Sequence, residues 1–161
     1  MTSRISFDEY AMNLAFVASW RGTCARRQVG AVLVNRRNHI LAIGYNGVAS
    51  GVEHCRGSNP LCPGAQLPSG TGLDLCGAIH AEQNALLQCR DVYDIKTVYC
   101  TLSPCLHCVK LLMNTGAERI VFATPYAHIE SEGLWVSSRA GRQWDYFDAF
   151  LPPVIGRAEL V

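Results

Sequence analysis

His80-Ala81-Glu82 and Pro104-Cys105-Leu106-His107-Cys108 are the two stretches whose side chains can act together on one small target. Residues three apart share one face of a helix, and proline suits a first helical turn, so Cys105 and Cys108 can grip a single ion. Amides exposed at a helix start also lower the pKa of a thiol there, which favours thiolates. One imidazole and two thiolates make three protein ligands, and a fourth tetrahedral position left to water is the pattern of a catalytic rather than a structural zinc. Glu82 lies two residues beyond the histidine, able to face the ion without binding it, as a general acid/base must. A lone Cys-x-x-Cys also occurs in zinc ribbons and redox pairs, but a ribbon needs a second such pair and the chain has none. His107 points elsewhere on its helix, and His39, His54 and His128 read as surface or loop residues.

Composition bounds the setting. The chain has 161 residues, a net charge of +1, 49% hydrophobic and 17% charged residues, the profile of one soluble globular domain. A polynucleotide binder usually carries a basic stripe. The clearest basic clusters here are Arg26-Arg27 and Arg36-Arg37, which suit a nucleotide phosphate better than a polymer. Met1 to Tyr10 carries Asp8 and Glu9 without an apolar run, and no stretch approaches about 18 apolar residues, so neither secretion nor membrane spanning is expected. The expected location is the cytosol, where thiols stay reduced, so the eight cysteines read as metal ligands and buried thiols rather than disulfides.

The elements that must position these residues are legible in the periodicity. Phe7, Tyr10, Leu14, Val17 and Ala18 recur at helical spacing. Val29 to Val34 and Ile40 to Ile43, joined by Arg36-Arg37-Asn38, read as a β-hairpin. Ala78 to Cys89 predicts a helix, Thr97 to Thr101 a strand, Pro104 to Thr115 a helix closed by Gly116, and Arg119 to Thr124 a strand. Strands alternating with helices imply parallel pairing and a three-layer α/β/α sandwich. Beyond Tyr126 only a weak helix around Glu130 to Ser138 and a break at Pro152-Pro153 can be placed.

Between Val48 and Cys76 the chain is rich in Gly, Pro and Ser, yet structureless loops this long are uncommon inside compact domains. An insertion at about 46–76 therefore needs a staple. Four thiolates, Cys24, Cys55, Cys62 and Cys76, would make a closed structural zinc site; four separately buried cysteines remain the competing reading. Core packing suffices for Cys89 and Cys100.

His-x-Glu with Pro-Cys-x-x-Cys is the signature of zinc nucleobase deaminases, and His80, Glu82, Cys105 and Cys108 match it residue for residue. Further matches are Thr23-Cys24-Ala25-Arg26-Arg27-Gln28-Val29-Gly30-Ala31-Val32, Gly44-Tyr45-Asn46-Gly47, His54-Cys55, and Leu73-Asp74-Leu75-Cys76 running into His80-Ala81-Glu82-Gln83-Asn84-Ala85. With these the chain resembles deoxycytidylate (dCMP) deaminases over roughly residues 5 to 126.

The resemblance implies a cytidine deaminase-like fold with a central mixed five-stranded sheet in one domain spanning 1–161. It also implies hydrolysis of dCMP to dUMP and ammonia, supplying dUMP for thymidylate synthesis. In that chemistry zinc brings the pKa of its water down to about 7, hydroxide attacks C4 of cytosine, and Glu82 carries the proton to ring N3 and later to the departing amine. The backbone around Ala81 and Ser103 would hold the amine and ring, Asn46 the sugar or phosphate, and Tyr126 would close the pocket. Arg26 and Arg27 are candidate phosphate ligands, because guanidinium forks match phosphate oxygens. Bacterial-type members carry cysteines near Cys24, Cys55, Cys62 and Cys76, in keeping with a second zinc.

Family regulation implies a homo-oligomer, a hexamer, activated by dCTP and inhibited by dTTP. Tyr45-Asn46-Gly47, with Arg26-Arg27 nearby, is the set able to hold such a triphosphate, although Asn-Gly is also the commonest tight-turn pair. Val48-Ala49-Ser50-Gly51 departs from the proline-containing pattern often seen at that point, and the match beyond Tyr126 is poor. The competing functions are deamination of another cytosine nucleotide or nucleoside, of tRNA adenosine or single-stranded DNA, and a catalytically silent zinc module.

Overall fold

A computed structural model describes residues 4–55, 62–68, 71–72, 75–126 and 129–148. Helix α1 (Phe7–Ser19) opens on a reciprocal cap: the Glu9 amide donates to Ser6 Oγ at 3.2 Å and the Ser6 amide to the Glu9 carboxylate at 2.7 Å, satisfying two amides that the helix itself leaves unpaired. Strands β1 (Gly30–Asn35) and β2 (Ile40–Tyr45) form the expected hairpin. Its turn is held by Asn35 Oδ1, which accepts from the amides of Arg37 at 2.9 Å and His39 at 3.0 Å, while Asn38 takes a φ of 60°.

Next come β3 (Gly47–Val48), a 3-10 turn at Pro63–Gln66, β4 (Ala78–Ile79), α2 (Ala81–Gln88), β5 (Ile95–Leu102) and α3 (Leu106–Met113). After them, β6 (Arg119–Thr124), α4 (Ile129–Ser138) and β7 (Gln143–Tyr146) complete the described chain. The five-stranded sheet runs β2-β1-β5-β6-β7, and β3 pairs with β4 in a separate two-stranded sheet.

Alternation of side chains across the sheet sets the layers. On one face Val32, Val34, Tyr99 and Val121 pack under Ala11, Met12 and Ala15 of α1. On the other, Ala31, Leu33, Val98, Cys100, Ile120 and Phe122 meet Ala81 and Ala85 of α2, Val109 and Leu112 of α3, and Trp135 of α4. These residues are essentially sealed from solvent, so truncating Met12 or Leu33 to alanine would cost roughly 2–5 kcal/mol. Gly44 lets α2 lie against β2, since a Cβ there would meet Ala81 O at 2.2 Å.

The expected sandwich is present, with the sheet mixed. Parallel pairing, which the strand-helix alternation predicts, holds for β5-β6-β7, whereas β1 is antiparallel to both β2 and β5. The α2 crossover joins β2 to a parallel β5 two places along, and the hairpin strand β1 fills the slot between them. Ala78 and Ile79, predicted as helix, instead pair with Val48 and Gly47. Gly116 is not the stop signal of α3, which is capped by Asn114; it is a packing glycine, where a Cβ would come within 2.0 Å of Tyr93 O. Strand β7, where the sequence places no element, completes the five-stranded sheet as an edge strand of exposed or half-buried residues, with the Trp144 and Tyr146 ring centroids 5.3 and 5.9 Å from that of Phe122. Pro152-Pro153, Leu73-Asp74 and His128 lie outside the described residues. Among the described residues no helix is long and apolar enough to cross a membrane.

Candidate active site

Two helix starts meet at the end of the sheet. Short β4 delivers His80 to the N-cap of α2, where its amide donates to the Gln83 side chain at 2.9 Å. Strand β5 runs through Ser103-Pro104 into Cys105 at the N-cap of α3, and Cys108 lies one turn on, facing the same way. His80 Nδ1 is 3.4 Å from the sulfurs of both Cys105 and Cys108, and the three donor atoms all lie within 4.8 Å of one another.

A hydrogen bond from Cys108, aided by His80, pulls the Cys105 thiol down to about 3. Cys108, whose proton Cys105 accepts and which is buried, is pushed well above its usual value. The Cys105 interaction in turn raises His80. Two cysteine sulfurs and one imidazole nitrogen in contact are a donor set for a soft or borderline dication. Tetrahedral zinc bonds of about 2.1 Å to nitrogen and 2.3 Å to sulfur subtend an edge of about 3.6 Å, close to the two nitrogen–sulfur contacts. The residues fit zinc.

Glu82, in the first turn of α2, is 4% exposed, and burial raises its carboxyl pKa. It lines one pocket together with His80 and Cys105. That same pocket is bordered by every substrate residue expected from the sequence: Arg26, Arg27, Asn46, Ala81, Ser103 and Tyr126. Ser103 Oγ accepts from the Tyr126 amide at 2.7 Å, tying the wall after β6 to the turn before α3. Asn84 Nδ2 donates to Tyr45 O at 2.8 Å and fixes α2 to the end of β2.

The two arginines part company. Arg26 Nη1 is surrounded by carbonyls, reaching Gly64 O at 2.7 Å, Leu67 O at 3.4 Å, Pro68 O at 3.2 Å and Thr71 O at 3.1 Å. It draws the insertion around itself, a staple absent from the sequence-based expectation. Arg27 is exposed at the pocket and carries no ion pair among the described residues.

Tyr45-Asn46-Gly47 is not a tight turn: Tyr45 ends β2, Gly47 opens β3, and the Asn46 amide already donates to Val29 O at 3.1 Å. A triphosphate there would have to compete for that amide. The Arg21 guanidinium sits 5.9 Å from the Tyr45 ring centroid.

Of the four cysteines expected to staple the insertion, Cys24 and Cys55 are buried and Cys62 and Cys76 half-buried. Cys55 and Cys62 sulfurs are 3.4 Å apart, and Cys62 also hydrogen-bonds Cys76. Burial and the neighbouring Cys24 and Cys62 sulfurs raise the Cys76 thiol, against the pull of its bond to the Ala78 backbone. Among the described residues, His80, Cys105 and Cys108 form the cluster compact enough for one ion; Cys24, Cys55, Cys62 and Cys76 approach one another pairwise. Val29, Ala78 and Leu102 also line the pocket and went unread in the sequence. Their one available signal was position, at strand ends flanking the motif residues.

The model of the cytidine and deoxycytidylate deaminase zinc-binding region matches residues 5–124. The deoxycytidylate deaminase of Schizosaccharomyces pombe is 37% identical over 153 residues, 93% of this chain and 46% of the relative. The chain thus spans less than half of that fungal protein. The deoxycytidylate deaminase of Mycobacterium phage D29 is 40% identical over 126 residues, 74% of this chain and 96% of the phage protein. Among solved structures, the dCMP deaminase of cyanophage S-TIM5 in complex with dCMP and dUMP superposes with a TM-score of 0.63 at 25% identity, covering 90% of this chain and 99% of that one.

Proposed function

The chain belongs to the cytidine and deoxycytidylate deaminase zinc-binding family, and from that membership we propose that it hydrolyses dCMP to dUMP and ammonia. The observation that carries the proposal is the convergence of His80, Cys105, Cys108 and buried Glu82 on a pocket that has Arg27 on its border. The relatives named for dCMP support the choice of nucleotide.

His80, Cys105 and Cys108 would hold the catalytic zinc, which would supply an acidified water beside the substrate ring. Glu82 moves the protons. Its burial raises the affinity of the carboxylate for a proton, so it accepts one from water, delivers it to ring N3 and then serves the leaving amine, a role worth typically 10²- to 10⁴-fold in rate. Ala81 and Ser103 present backbone to the amine and ring, and Tyr126 forms the wall that Ser103 Oγ anchors. Arg27 takes the phosphate. Arg26, committed to four carbonyls, shapes the pocket by holding the insertion.

The reading extends to a single catalytic domain over 1–161 acting in the cytosol. It extends also to a second zinc on Cys24, Cys55, Cys62 and Cys76, supported by the Cys55–Cys62 and Cys62–Cys76 contacts. A hexamer responsive to dCTP and dTTP, which the resemblance implies, completes it.

Ammonia release from dCMP, deoxycytidine, cytidine, dCTP and a tRNA anticodon stem, measured on the zinc-loaded protein with and without triphosphates, tests the proposal. dCMP should be turned over fastest, because its phosphate adds a charge-assisted contact to Arg27 that a nucleoside lacks. Equal turnover of dCMP and deoxycytidine would make the protein a nucleoside deaminase instead.

A further inference from the structure

Asn46 is 7% exposed, and all four of its polar groups are spent inside the protein. Its backbone amide donates to Val29 O at 3.1 Å, and its carbonyl accepts from the Thr23 amide at 3.0 Å. Its side chain makes two further bonds, Oδ1 accepting from the Val29 amide at 2.8 Å and Nδ2 donating to Arg27 O at 2.7 Å. Three of these four bonds fall on Arg27–Val29, a segment that precedes β1 and belongs to neither helix nor strand. The side-chain amide stands where a neighbouring strand would otherwise put a peptide group, one acceptor and one donor spaced to meet an N–H and a C=O two residues apart.

We infer that Asn46 is a positioning residue for phosphate recognition: it fixes the path of Arg27–Val29 and thereby holds the exposed Arg27 at the pocket. Three observations meet in this inference. Arg26 has its Nη1 engaged by the carbonyls of Gly64, Leu67, Pro68 and Thr71, which ties it to the insertion. Arg27 carries no ion pair among the described residues that would hold its side chain in place. Its carbonyl is held by Asn46 Nδ2, while Gln28 Nε2 anchors the same segment on Gly22 O at 2.8 Å. A guanidinium on an untethered segment loses more freedom on binding an anion than one on a fixed segment, and that loss is subtracted from affinity.

The inference rests on the proposed dCMP activity, with Arg27 as the phosphate ligand, and makes a claim that direct contact between Asn46 and the sugar does not. A sugar contact is common to dCMP and deoxycytidine. A contact that acts through Arg27 matters only when the phosphate is present.

The test is a double-mutant cycle on the zinc-loaded protein. The kcat/KM for dCMP and for deoxycytidine is measured in the wild type, Asn46→Ala, Asn46→Asp, Arg27→Ala and the Arg27→Ala/Asn46→Ala double variant. Asn46→Ala should lower the dCMP-to-deoxycytidine ratio by about tenfold, mainly through the KM for dCMP, as expected for loss of one or two buried hydrogen bonds. Asn46→Asp keeps an acceptor for the Val29 amide but sets an oxygen against Arg27 O, and should shift the ratio the same way; it carries the test if the alanine variant does not fold.

On the Arg27→Ala background, Asn46→Ala should leave the ratio within about twofold, since the group it acts through is gone. An Asn46→Ala ratio equal to that of the wild type, while Arg27→Ala collapses it, overturns the positioning role. A ratio indifferent to Arg27→Ala overturns the phosphate assignment, and the positioning role of Asn46 falls with it.

Discussion

At the residue scale the sharpest consequence is carried by Glu82, a carboxylate 4% exposed whose pKa burial raises. Glu82→Gln keeps the shape and a hydrogen-bonding end but cannot shuttle protons. It should retain zinc by metal analysis while losing at least about a hundredfold in kcat, whereas Cys105→Ser should lose the metal. A Glu82→Gln protein with normal turnover would remove the proton shuttle. Residues of this kind were readable from sequence because their chemistry fixes both type and spacing: His80, Glu82, Cys105 and Cys108 leave few alternatives. Arg26 was not readable in the same way. Its partners are carbonyls 38 to 45 residues along the chain, and carbonyls are the same in every residue, so nothing in Gly64, Leu67, Pro68 or Thr71 announces an arginine. Asn46 was misleading for a related reason, because Asn-Gly resembles a turn until the segment it binds is seen.

At the scale of elements, α1 is fastened to the far side of the sheet by one network. Arg119 of β6 donates from Nη1 and Nη2 to Asp8 at 3.0 and 2.8 Å and from Nε to Asp145 of β7 at 2.6 Å, while the Tyr99 hydroxyl of β5 donates to Asp8 at 2.6 Å. Burial pushes the Asp8 carboxyl up, but the bonds from Arg119 and Tyr99 and the guanidinium charge outweigh it and leave the pKa below the usual value. A carboxylate with a depressed folded-state pKa stabilises above its unfolded value and loses that contribution as pH falls through the folded one. Melting temperature should therefore fall as the pH drops below about 4. Asp8→Asn should melt lower than the wild type at neutral pH, with the gap narrowing in acid. A constant gap at all pH values would mean that the network acts by packing and not by charge. Of the elements joined here, α1, β5 and β6 follow from periodicity, each having an apolar face long enough to show. Strand β7 has four residues and no fully buried side chain, too short a stretch to show its period, and its side-chain ties to β6, Arg119 to Asp145 and Phe122 to Trp144 and Tyr146, join residues more than twenty apart in the chain.

At the scale of the molecule, the mixed sheet brings the starts of α2 and α3 together, and the insertion between β3 and β4 contributes to the pocket wall through Cys76. Cys24, just before the Arg27–Val29 segment, contributes too. If the insertion is stapled by a second zinc as well as by Arg26, the metal content is two ions per chain and the two sites have separable consequences. Cys62 is the informative position, because it touches Cys55 at 3.4 Å and hydrogen-bonds Cys76 yet does not itself border the pocket. Cys62→Ser should drop the zinc count from two to one and lower the melting temperature, since metal bound only to the folded chain is folding free energy. Its effect on catalysis should lie in a raised KM for dCMP, with kcat largely kept, because His80, Cys105, Cys108 and Glu82 sit on α2, α3 and their caps and not on the insertion. Cys105→Ser should also leave one ion, but with kcat abolished. Metal analysis and steady-state kinetics on the same preparations decide it: a single zinc per chain in the wild type, unchanged by Cys62→Ser, would leave Arg26 and its four carbonyl bonds as the staple and the four cysteines as packing thiols.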